Sequence, residues 1–238
     1  MNLQALIFDV DGTLADTERD GHRPAFNAAF AEFGLPWHWD EALYGDLLQV
    51  AGGKERLRHY AEVHDPAFLA KPDIDDVIRT LHATKTRHYL AILARGEIQL
   101  RPGVAKLIAE ARADGLRLAI ATTTTAENVS SLLDASLAAG AGSWFDVVGA
   151  GDVVPAKKPA PDIYLWVLER LRLPAAACVA IEDSAVGLHA ALAAGLPTLV
   201  TENEYTRGQN FSGALAVLPD LSRTSLASIR SRHQGIHK

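Results

Sequence analysis

The sequence predicts an α/β protein: a doubly wound parallel sheet with an inserted helical cap. Three observations support this fold class. Short apolar runs that end in polar residues recur along the chain, as expected of buried parallel strands. Segments with helical spacing separate these runs. No strand is evident between residue 24 and about residue 88, so the first strand is separated from the others. We therefore expect a core of residues 1–15 and 97–238 and a cap of residues 16–96.

The first expected strand covers residues 3–8, and the others follow the cap. The later apolar runs are residues 116–121, 145–148, 177–181, 197–200 and 214–218. Helices are expected to begin at Pro102 and Pro161, because proline suits the first turn of a helix, and near Ala126. An alanine-rich helix should run to Gly195. The polar residues 231–238 are expected to form a frayed tail.

The cap segment should form helices around its own aromatic core. Phe26 and Phe30 recur at helical spacing, and Gly34 ends that segment. Trp37 and Trp39 are expected to pack with them rather than to form a stacking platform for a ligand. The chain should pass between core and cap near residues 14–17 and 96–102, where hinges would let the cap close over a substrate.

Composition limits the possible functions. The 238 residues are 48% apolar with a net charge of −6, which excludes a disordered chain and argues against a nucleic-acid binder. The longest apolar runs are far shorter than the roughly 20 residues of a membrane span. Cys178 is the only cysteine, so an intramolecular disulfide cannot form. The first residues lack a basic segment, and we expect a cytoplasmic protein, favoured as a monomer, that acts on a small molecule.

Polar side chains follow four of the predicted strands. Asp9 and Asp11 follow the first, Thr122 the second, Lys158 lies after the third, and Glu182-Asp183 follow the fourth. Ligands of parallel α/β sheets bind outside the carboxyl ends of the strands. Each segment alone could be a simple turn or helix cap, since aspartate is common there. Together they predict one site.

The paired carboxylates of the segment DVDGT predict a magnesium site. Asp9 and Asp11 point the same way on an extended chain, so they repel unless a cation lies between them. Asp183 adds a third carboxylate and Glu182 a possible fourth, and such oxygen clusters suit Mg²⁺ shared with a substrate phosphate. Gly12 allows the sharp turn beside the ligand.

Phosphoryl transfer is the chemistry that uses these groups. One carboxylate can attack phosphorus to form an aspartyl-phosphate, and a second can protonate the leaving alcohol and then activate water. Lys158 and Thr122, with the neighbouring backbone N–H groups of Thr123 and Thr124, can hold the phosphoryl oxygens. The sequence therefore predicts an enzyme acting on a phosphate ester.

The sequence resembles the haloacid dehalogenase-like hydrolases. FDVDGTLADTE, AIATTTT, KPAPD and AIEDSAVGLHAA are similar to the four motifs of that family, in the family's order. The resemblance implies that Asp9 is the nucleophile and Asp11 the acid and base. It also implies that Asp9, the backbone carbonyl of Asp11, and Asp183 bind Mg²⁺, with Glu182 in support, while Thr122 and Lys158 bind phosphate. Dehalogenases of the family lack the second aspartate of the first motif, so Asp11 points to a phosphatase or phosphomutase.

In the expected cap, the segments DGHR (20–23), AFN (25–27) and GGKER (52–56) resemble the cap of CbbY-type phosphatases. The resemblance implies removal of the C1 phosphate of xylulose 1,5-bisphosphate, an inhibitory by-product of Rubisco. A bisphosphate needs a second anion site, and Gly52-Gly53 at a helix start, with Lys54 and Arg56, would provide one. The substrate contacts that we expect in the cap, partly from this resemblance, are Glu18, Tyr44, Gly52, Gly53, Lys54, Glu55, Arg56, His82 and Lys85. For Lys54 and Lys85 a solvated helix face is the alternative.

Two other functions remain open from the sequence. A phosphomutase of the β-phosphoglucomutase type would have the same core and differ in the fate of the aspartyl-phosphate. A receiver-like signalling domain would be phosphorylated on aspartate without turning over a substrate. The large cap argues against the second, and release of phosphate at a steady rate would exclude it.

Overall fold

The computed structural model describes residues 2–50 and 52–235 and divides the chain into two compact units. The core unit runs through Asp16 and resumes at Gln99, and the cap unit is Thr17–Ile98. The bounds expected from the sequence, at residues 15/16 and 96/97, differ from these by one and two residues. Both crossings fall within the segments in which hinges were expected.

The core unit contains a parallel sheet of six strands. The strands are β1 (Ala5–Phe8), β2 (Arg117–Ala121), β3 (Val147–Gly149), β4 (Cys178–Glu182), β5 (Thr198–Thr201) and β6 (Ala216–Leu218). Their order is β3-β2-β1-β4-β5-β6, so the chain returns to the opposite side of β1 after β3. The predicted fold class is confirmed.

The central strand is short and apolar because it is covered on both faces. All four residues of β1 are buried. Ala5 and Ile7 belong to a cluster with Tyr164 and Val167, whereas Leu6 and Phe8, which alternate with them, point to the other face of the sheet. A strand buried on both faces needs continuous rather than alternating apolar residues. Its position in the middle of the sheet fixes where the residue after it, Asp9, must lie.

In the described residues, the core unit has five α-helices. They are α6 (Val104–Ala113), α7 (Ala126–Ser136), α8 (Asp162–Leu171), α9 (Ala185–Ala193) and α10 (Leu226–Gly235), numbered after the five helices of the cap unit. Thr125 caps α7 by accepting a hydrogen bond from Asn128 N, and Ser184 caps α9 in the same way from Gly187 N. These two caps begin helices directly after β2 and β4, at the edge where the polar residues collect.

The cap unit is helical, as expected for the segment without strands. Its helices are α1 (Arg23–Glu32), α2 (Glu41–Leu47), α3 (Gly53–His64), α4 (Pro66–Leu69) and α5 (Ile74–Ala94), preceded by a π-helical turn at Glu18–His22. Phe26, Phe30 and Trp39 are fully buried, and the rings of Phe26 and Trp39 are 4.7 Å apart between centroids. The predicted aromatic residues therefore form the core of this unit.

Two local predictions were wrong. The tail does not fray from residue 231, because α10 continues to Gly235 and His233 on it is buried, with Nε2 2.8 Å from the Ala176 carbonyl oxygen. Residues 236–238 of that prediction lie outside the described part. Neither Pro102 nor Pro161 begins its helix. Gly103, with φ +87°, is the N-cap of α6, which starts at Val104, and Pro161 is the N-cap of α8, which starts at Asp162. None of the helices in the described residues combines the length and apolar content needed to cross a bilayer.

Candidate active site

The polar residues of the core unit gather where the strand order reverses. Asp9 follows β1, Glu182 ends β4 and Asp183 follows it, and β1 and β4 are hydrogen-bonded neighbours. The strand on the other side of β1 is β2. In doubly wound sheets, ligands bind in the crevice outside such a reversal point. The topology therefore directs these three side chains to the place where a ligand is expected.

Lys158 joins two of these carboxylates. It lies in the loop between β3 and α8, and only 7% of its surface is exposed. Its Nζ donates to Asp9 Oδ1 and to Glu182 Oε1, both at 2.6 Å, and to the Ala121 carbonyl oxygen at 2.9 Å. With all three hydrogen bonds made, the ammonium group holds Asp9 in one orientation.

Glu182 is held by contacts inside the protein. Its Oε1 accepts a short hydrogen bond from the Tyr164 hydroxyl as well as the bond from Lys158. Its Oε2 accepts one from Asp183 N at 3.3 Å. Gly187 in α9 leaves room for this carboxylate, because a Cβ there would lie 2.0 Å from Oε2. Both oxygens of Glu182 therefore accept hydrogen bonds from within the protein.

Crowding of buried acids changes their protonation. Burial, opposed by Lys158 and reinforced by Glu182 and Asp183, raises the pKa of Asp9 well above its usual range. Burial and the charge of Glu182 raise the pKa of Asp183 to about 8. Burial would lower the pKa of Lys158, but Asp9 and Glu182 together raise it above its ordinary value. Lys158 contacts two of these three acids, and a bound cation would favour the ionised forms of all three.

The donor set fits a magnesium ion. Asp9, Glu182 and Asp183 each offer a carboxylate oxygen, and these atoms lie within 4.8 Å of one another. Hard oxygen donors are what Mg²⁺ prefers. Because both oxygens of Glu182 are hydrogen-bonded within the protein, Asp9 and Asp183 fit best as direct ligands. Asp11 lies in the turn after β1, half-buried, with a backbone bridge to Ala15.

The threonine loop after β2 offers fewer donors than the sequence suggested. Thr122 is buried, and its N–H donates to the Gly149 carbonyl oxygen at 2.9 Å. Thr124 N donates to Thr122 Oγ1 at 3.2 Å. One of the expected phosphate donors, Thr124 N–H, is therefore engaged inside the protein. The donors that this loop retains are the Thr122 hydroxyl hydrogen and Thr123 N–H, for which no acceptor is found among the described residues.

A family model described as haloacid dehalogenase-like hydrolase matches residues 3–195. The chain belongs to the haloacid dehalogenase-like hydrolases. CbbY (plasmid) of Cupriavidus necator is 56% identical over 219 residues, which cover 92% of this chain and 86% of that protein. The chain is thus a phosphatase-type enzyme of this hydrolase family, with its likeness to CbbY-type members confirmed. The receiver-like alternative has no support from this membership.

Solved structures agree with this grouping. CbbY from Rhodobacter sphaeroides in complex with phosphate has a TM-score of 0.86 and 46% identity, covering 95% of this chain and 98% of that one. A mutant of the same protein, crystallised with xylulose-(1,5)bisphosphate, matches equally well. Beta-phosphoglucomutase from Clostridium difficile, at 18% identity with a TM-score of 0.81 and 99% coverage of both chains, shares the fold.

The cap unit of this hydrolase contains a second polar cluster. Arg56 is buried, and its Nη1 donates to the Tyr44 hydroxyl at 2.9 Å, while Tyr44 donates to Glu18 Oε2 at 2.5 Å. Glu18 comes from the π-helical turn, Tyr44 from α2 and Arg56 from α3. Arg56 Nε also donates to the Leu47 carbonyl oxygen at 3.1 Å. The structure thus brings together three predicted cap residues from separate segments.

The remaining predicted cap residues lie around the start of α3 and on α5. Gly52 is the N-cap of α3 with φ +97°, and a Cβ on Gly53 would lie 2.5 Å from His82 Nε2, so these positions pack closely. Lys54 and Glu55 are exposed on the first turn.

Lys85 does not lie on a solvated helix face, which was the alternative interpretation for this residue. It is buried, with Nζ 2.9 Å from His22 Nδ1 and 4.8 Å from the Phe26 ring centroid. The solvated helix face is therefore wrong for Lys85, whereas Lys54 is indeed exposed.

Four residues of the core site escaped the sequence analysis: Tyr164, Asn128, Arg101 and Asn203. Tyr164 donates to Glu182, and Asn128 Nδ2 donates to Thr124 Oγ1 at 3.1 Å. Both lie in the first turn of a helix that follows a strand-end loop, a position that could have marked them. Arg101 and Asn203 lie on segments with no motif, and nothing in the local sequence distinguishes them.

Proposed function

We propose that the protein is a Mg²⁺-dependent phosphatase that hydrolyses a sugar bisphosphate through an aspartyl-phosphate. The proposed substrate is xylulose 1,5-bisphosphate, converted to xylulose 5-phosphate and phosphate. The proposal is supported by the likeness over 95% of the chain to the structure of a CbbY mutant bound to that sugar. The observation that carries the chemistry is the buried Asp9 carboxylate, hydrogen-bonded by Lys158 and close to Asp183.

In the first step, an Asp9 oxygen attacks phosphorus and the bond from phosphorus to the sugar oxygen breaks. Lys158 holds Asp9 Oδ1 at 2.6 Å and thereby fixes the direction of the other oxygen. Asp11, protonated at this stage, gives its proton to the departing sugar oxygen. The products of this step are the sugar monophosphate, with a free hydroxyl group where the phosphate was, and phosphorylated Asp9.

In the second step, water attacks the phosphorus of the aspartyl-phosphate. Asp11, now ionised, accepts a proton from that water, and the bond between phosphorus and the Asp9 oxygen breaks. Inorganic phosphate leaves, and both aspartates return to their starting forms. The Thr122 hydroxyl and Thr123 N–H would donate to the phosphoryl oxygens in both steps.

Magnesium, held by Asp9, Asp183 and the Asp11 backbone carbonyl, would supply the positive charge that offsets repulsion between a phosphate dianion and a carboxylate. Glu182 would keep Lys158 and the Asp183 main chain in place through the hydrogen bonds already described. Asp9 and Asp183 are assigned as ligands, and Glu182 as their support, because both oxygens of Glu182 already accept hydrogen bonds within the protein.

Recognition of the second phosphate is assigned to the cap unit. The N-terminus of α3, with Lys54 on its first turn, offers N–H groups and a cation to an anion. Glu18, Tyr44, Glu55, Arg56, His82 and Lys85 would shape the part of the site that receives the sugar. The proposal is that this unit sets substrate choice while the core unit performs the reaction.

Replacing Lys54 by alanine should weaken the use of bisphosphates selectively. Loss of one charge-assisted contact should raise the KM for a sugar bisphosphate about tenfold, or ~1.4 kcal/mol, with little change for a monophosphate. Steady-state kinetics with both substrates measure this. Lys71→Ala is the matched control, because Lys71 is an exposed lysine of the same unit whose Nζ lies 4.5 Å from the Phe68 ring centroid. Equal KM changes for both substrates would contradict the assignment.

Magnesium should stabilise the folded protein directly. A ligand at about 100 times its Kd adds roughly 2.7 kcal/mol, which for a chain of this size corresponds to a rise of roughly 5–10 °C in Tm. We expect this rise when MgCl₂ is added to EDTA-treated protein, measured by calorimetry. Asp183→Asn should abolish it. A rise of the same size in that variant would contradict the placement of the ion.

The function itself is tested by phosphate release from a panel of sugar monophosphates and bisphosphates, with and without Mg²⁺. We expect release that depends on Mg²⁺ and is fastest with xylulose 1,5-bisphosphate. Analysis of the sugar products by NMR separates the alternatives. Isomerised sugar phosphate without free phosphate would identify a mutase, and no turnover of any bisphosphate would overturn the proposed substrate class.

A further inference from the structure

Asn203 contacts the site without belonging to any motif. It lies in the loop after β5, and its Nδ2 donates to Asp183 Oδ2 at 2.7 Å and to the Gly12 carbonyl oxygen at 3.3 Å. One amide group therefore links the turn after β1 to the carboxylate after β4. For Asp183 Oδ1, no hydrogen bond is found among the described residues.

The orientation of this amide is determined by its surroundings. Asn203 Oδ1 accepts hydrogen bonds from Tyr205 N at 2.9 Å and Thr206 N at 3.2 Å. Both partners are N–H donors, so the atom that faces them must be the oxygen. Asn203 N in turn donates to Thr206 Oγ1 at 2.9 Å. The NH₂ group is consequently the one that is held toward Asp183.

Arg101 holds the same loop through the two residues that precede Asn203 in the chain. Its guanidinium donates to the carbonyl oxygens of Thr201 at 2.8 Å and Glu202 at 2.7 Å, immediately before Asn203. It also donates to the Gly12 carbonyl oxygen, so Gly12 accepts from both Arg101 and Asn203. Arg101 is 7% exposed. The position of the Asn203 amide is thus fixed by backbone contacts on both sides.

Gly12 fits closely into this arrangement. Its φ is +83°, and a Cβ would lie 2.4 Å from Asp183 Oδ2 and 2.6 Å from Asn203 Nδ2. Any larger residue would separate the turn from the carboxylate. The close approach allows a single amide to reach both groups.

We propose that Asn203 is a positioning residue that gives the metal site its preference for Mg²⁺ over Ca²⁺. This inference rests on the proposed Mg²⁺-dependent function. By holding Oδ2, Asn203 leaves Asp183 one oxygen for a cation. Ligation through one oxygen suits Mg²⁺, which requires six ligands in near-ideal octahedral geometry, whereas Ca²⁺ accepts six to eight ligands and chelating carboxylates. Freeing Oδ2 would let Asp183 chelate the larger ion.

The test measures Mg²⁺ and Ca²⁺ affinities by calorimetry on the full chain without substrate. Asn203→Ala should weaken Mg²⁺ binding about tenfold or more, as loss of a ligand-orienting partner does, and should weaken Ca²⁺ binding less or strengthen it. The ratio of the two dissociation constants should therefore shift about tenfold toward Ca²⁺. A purely structural role would weaken both ions equally, and that result would overturn the proposal.

Asn203→Asp distinguishes loss of the NH₂ donor from disruption of the turn that Asn203 Oδ1 holds. It keeps the oxygen that accepts from Tyr205 N and Thr206 N but removes the NH₂ group, so the Mg²⁺ to Ca²⁺ ratio should shift in the same direction. An unchanged ratio in this variant would overturn the proposal even if Asn203→Ala failed to fold.

Asn210→Ala is the matched control. Asn210 makes a similar turn in the same loop, with Oδ1 accepting from Ser212 N at 3.0 Å, but it is exposed. The ratio of the Mg²⁺ and Ca²⁺ dissociation constants of Asn210→Ala should therefore equal that of the wild type. Wild-type protein that binds no Mg²⁺ would reject the proposed metal dependence. Wild-type binding with unchanged ratios in both Asn203 variants would reject this inference alone.

Discussion

Asp9→Asn should reduce kcat by at least about 10⁴-fold, because the amide oxygen cannot attack phosphorus and loss of a nucleophile removes the whole covalent route. The variant should still fold. Asn is the same size as Asp, and its side-chain oxygen can still accept the hydrogen bond from Lys158 Nζ. The variant also removes a buried acid whose pKa is raised by burial and by the neighbouring Glu182 and Asp183.

The measurement is phosphate release under saturating Mg²⁺, with circular dichroism and urea unfolding to verify the fold. Asp152→Asn is the matched control, because Asp152 pairs with Lys157 at 3.1 Å but its side chain is 84% exposed. We expect wild-type activity from the control. Residual activity of Asp9→Asn above about one hundredth of the wild type would contradict the assignment of the nucleophile.

Lys158→Met should reduce both activity and stability. The ammonium group holds Asp9 and Glu182 at 2.6 Å each, and its removal leaves buried acids without their partner. Breaking a buried ion pair on one side costs about 3 kcal/mol of unfolding free energy. Loss of a cation that orients the nucleophile and offsets phosphate charge should lower kcat about 10³-fold.

Lys157→Met is the control for this prediction, since Lys157 is the adjacent lysine and contacts only the exposed Asp152 among the ion pairs found in the described residues. Urea unfolding gives the free energy, and steady-state kinetics give kcat. A Lys157 variant as damaged as the Lys158 variant would show that the wrong lysine was chosen. Unchanged stability of Lys158→Met would contradict the bridging role of this ammonium group.

The main features of the fold could be predicted because they depend on local pattern. A strand buried on both faces, such as β1, needs a continuous apolar run, and the polar residue that ends the run marks the carboxyl edge of the sheet. Asp9 and Asp183 were found in this way, from two runs far apart in the chain. The helical cap followed from the spacing of Phe26 and Phe30 and the missing strand pattern.

Other parts of the site depend on contacts that no local pattern contains. Asn203 and Arg101 reach Gly12 from segments roughly 190 and 90 residues away, so only the folded chain reveals them. The threonine loop shows a second limit. The sequence shows which N–H groups exist but not which are used. Of the two N–H groups expected to bind phosphate, that of Thr124 instead donates to the Thr122 hydroxyl oxygen.

The tail and Lys85 show how composition can mislead. Polar residues after 230 suggested fraying, but a turn of helix with one buried histidine, His233, is enough to order them to Gly235. A solvated helix face was the alternative for Lys85, yet its Nζ lies 4.8 Å and 5.4 Å from the ring centroids of Phe26 and Tyr89 and 2.9 Å from His22 Nδ1. Burial of a long charged side chain depends on neighbours that are distant in sequence.

In the proposed mechanism, an oxygen of Asp9, and not water, makes the first attack on phosphorus. The stereochemistry at phosphorus tests this order of attack. The substrate is a sugar thiophosphate that is chiral by oxygen isotopes, and it is turned over in isotopically labelled water. Attack by Asp9 followed by attack of water gives two in-line displacements, so we expect thiophosphate with retained configuration. Inverted configuration would mean a single direct attack by water and would contradict the aspartyl-phosphate.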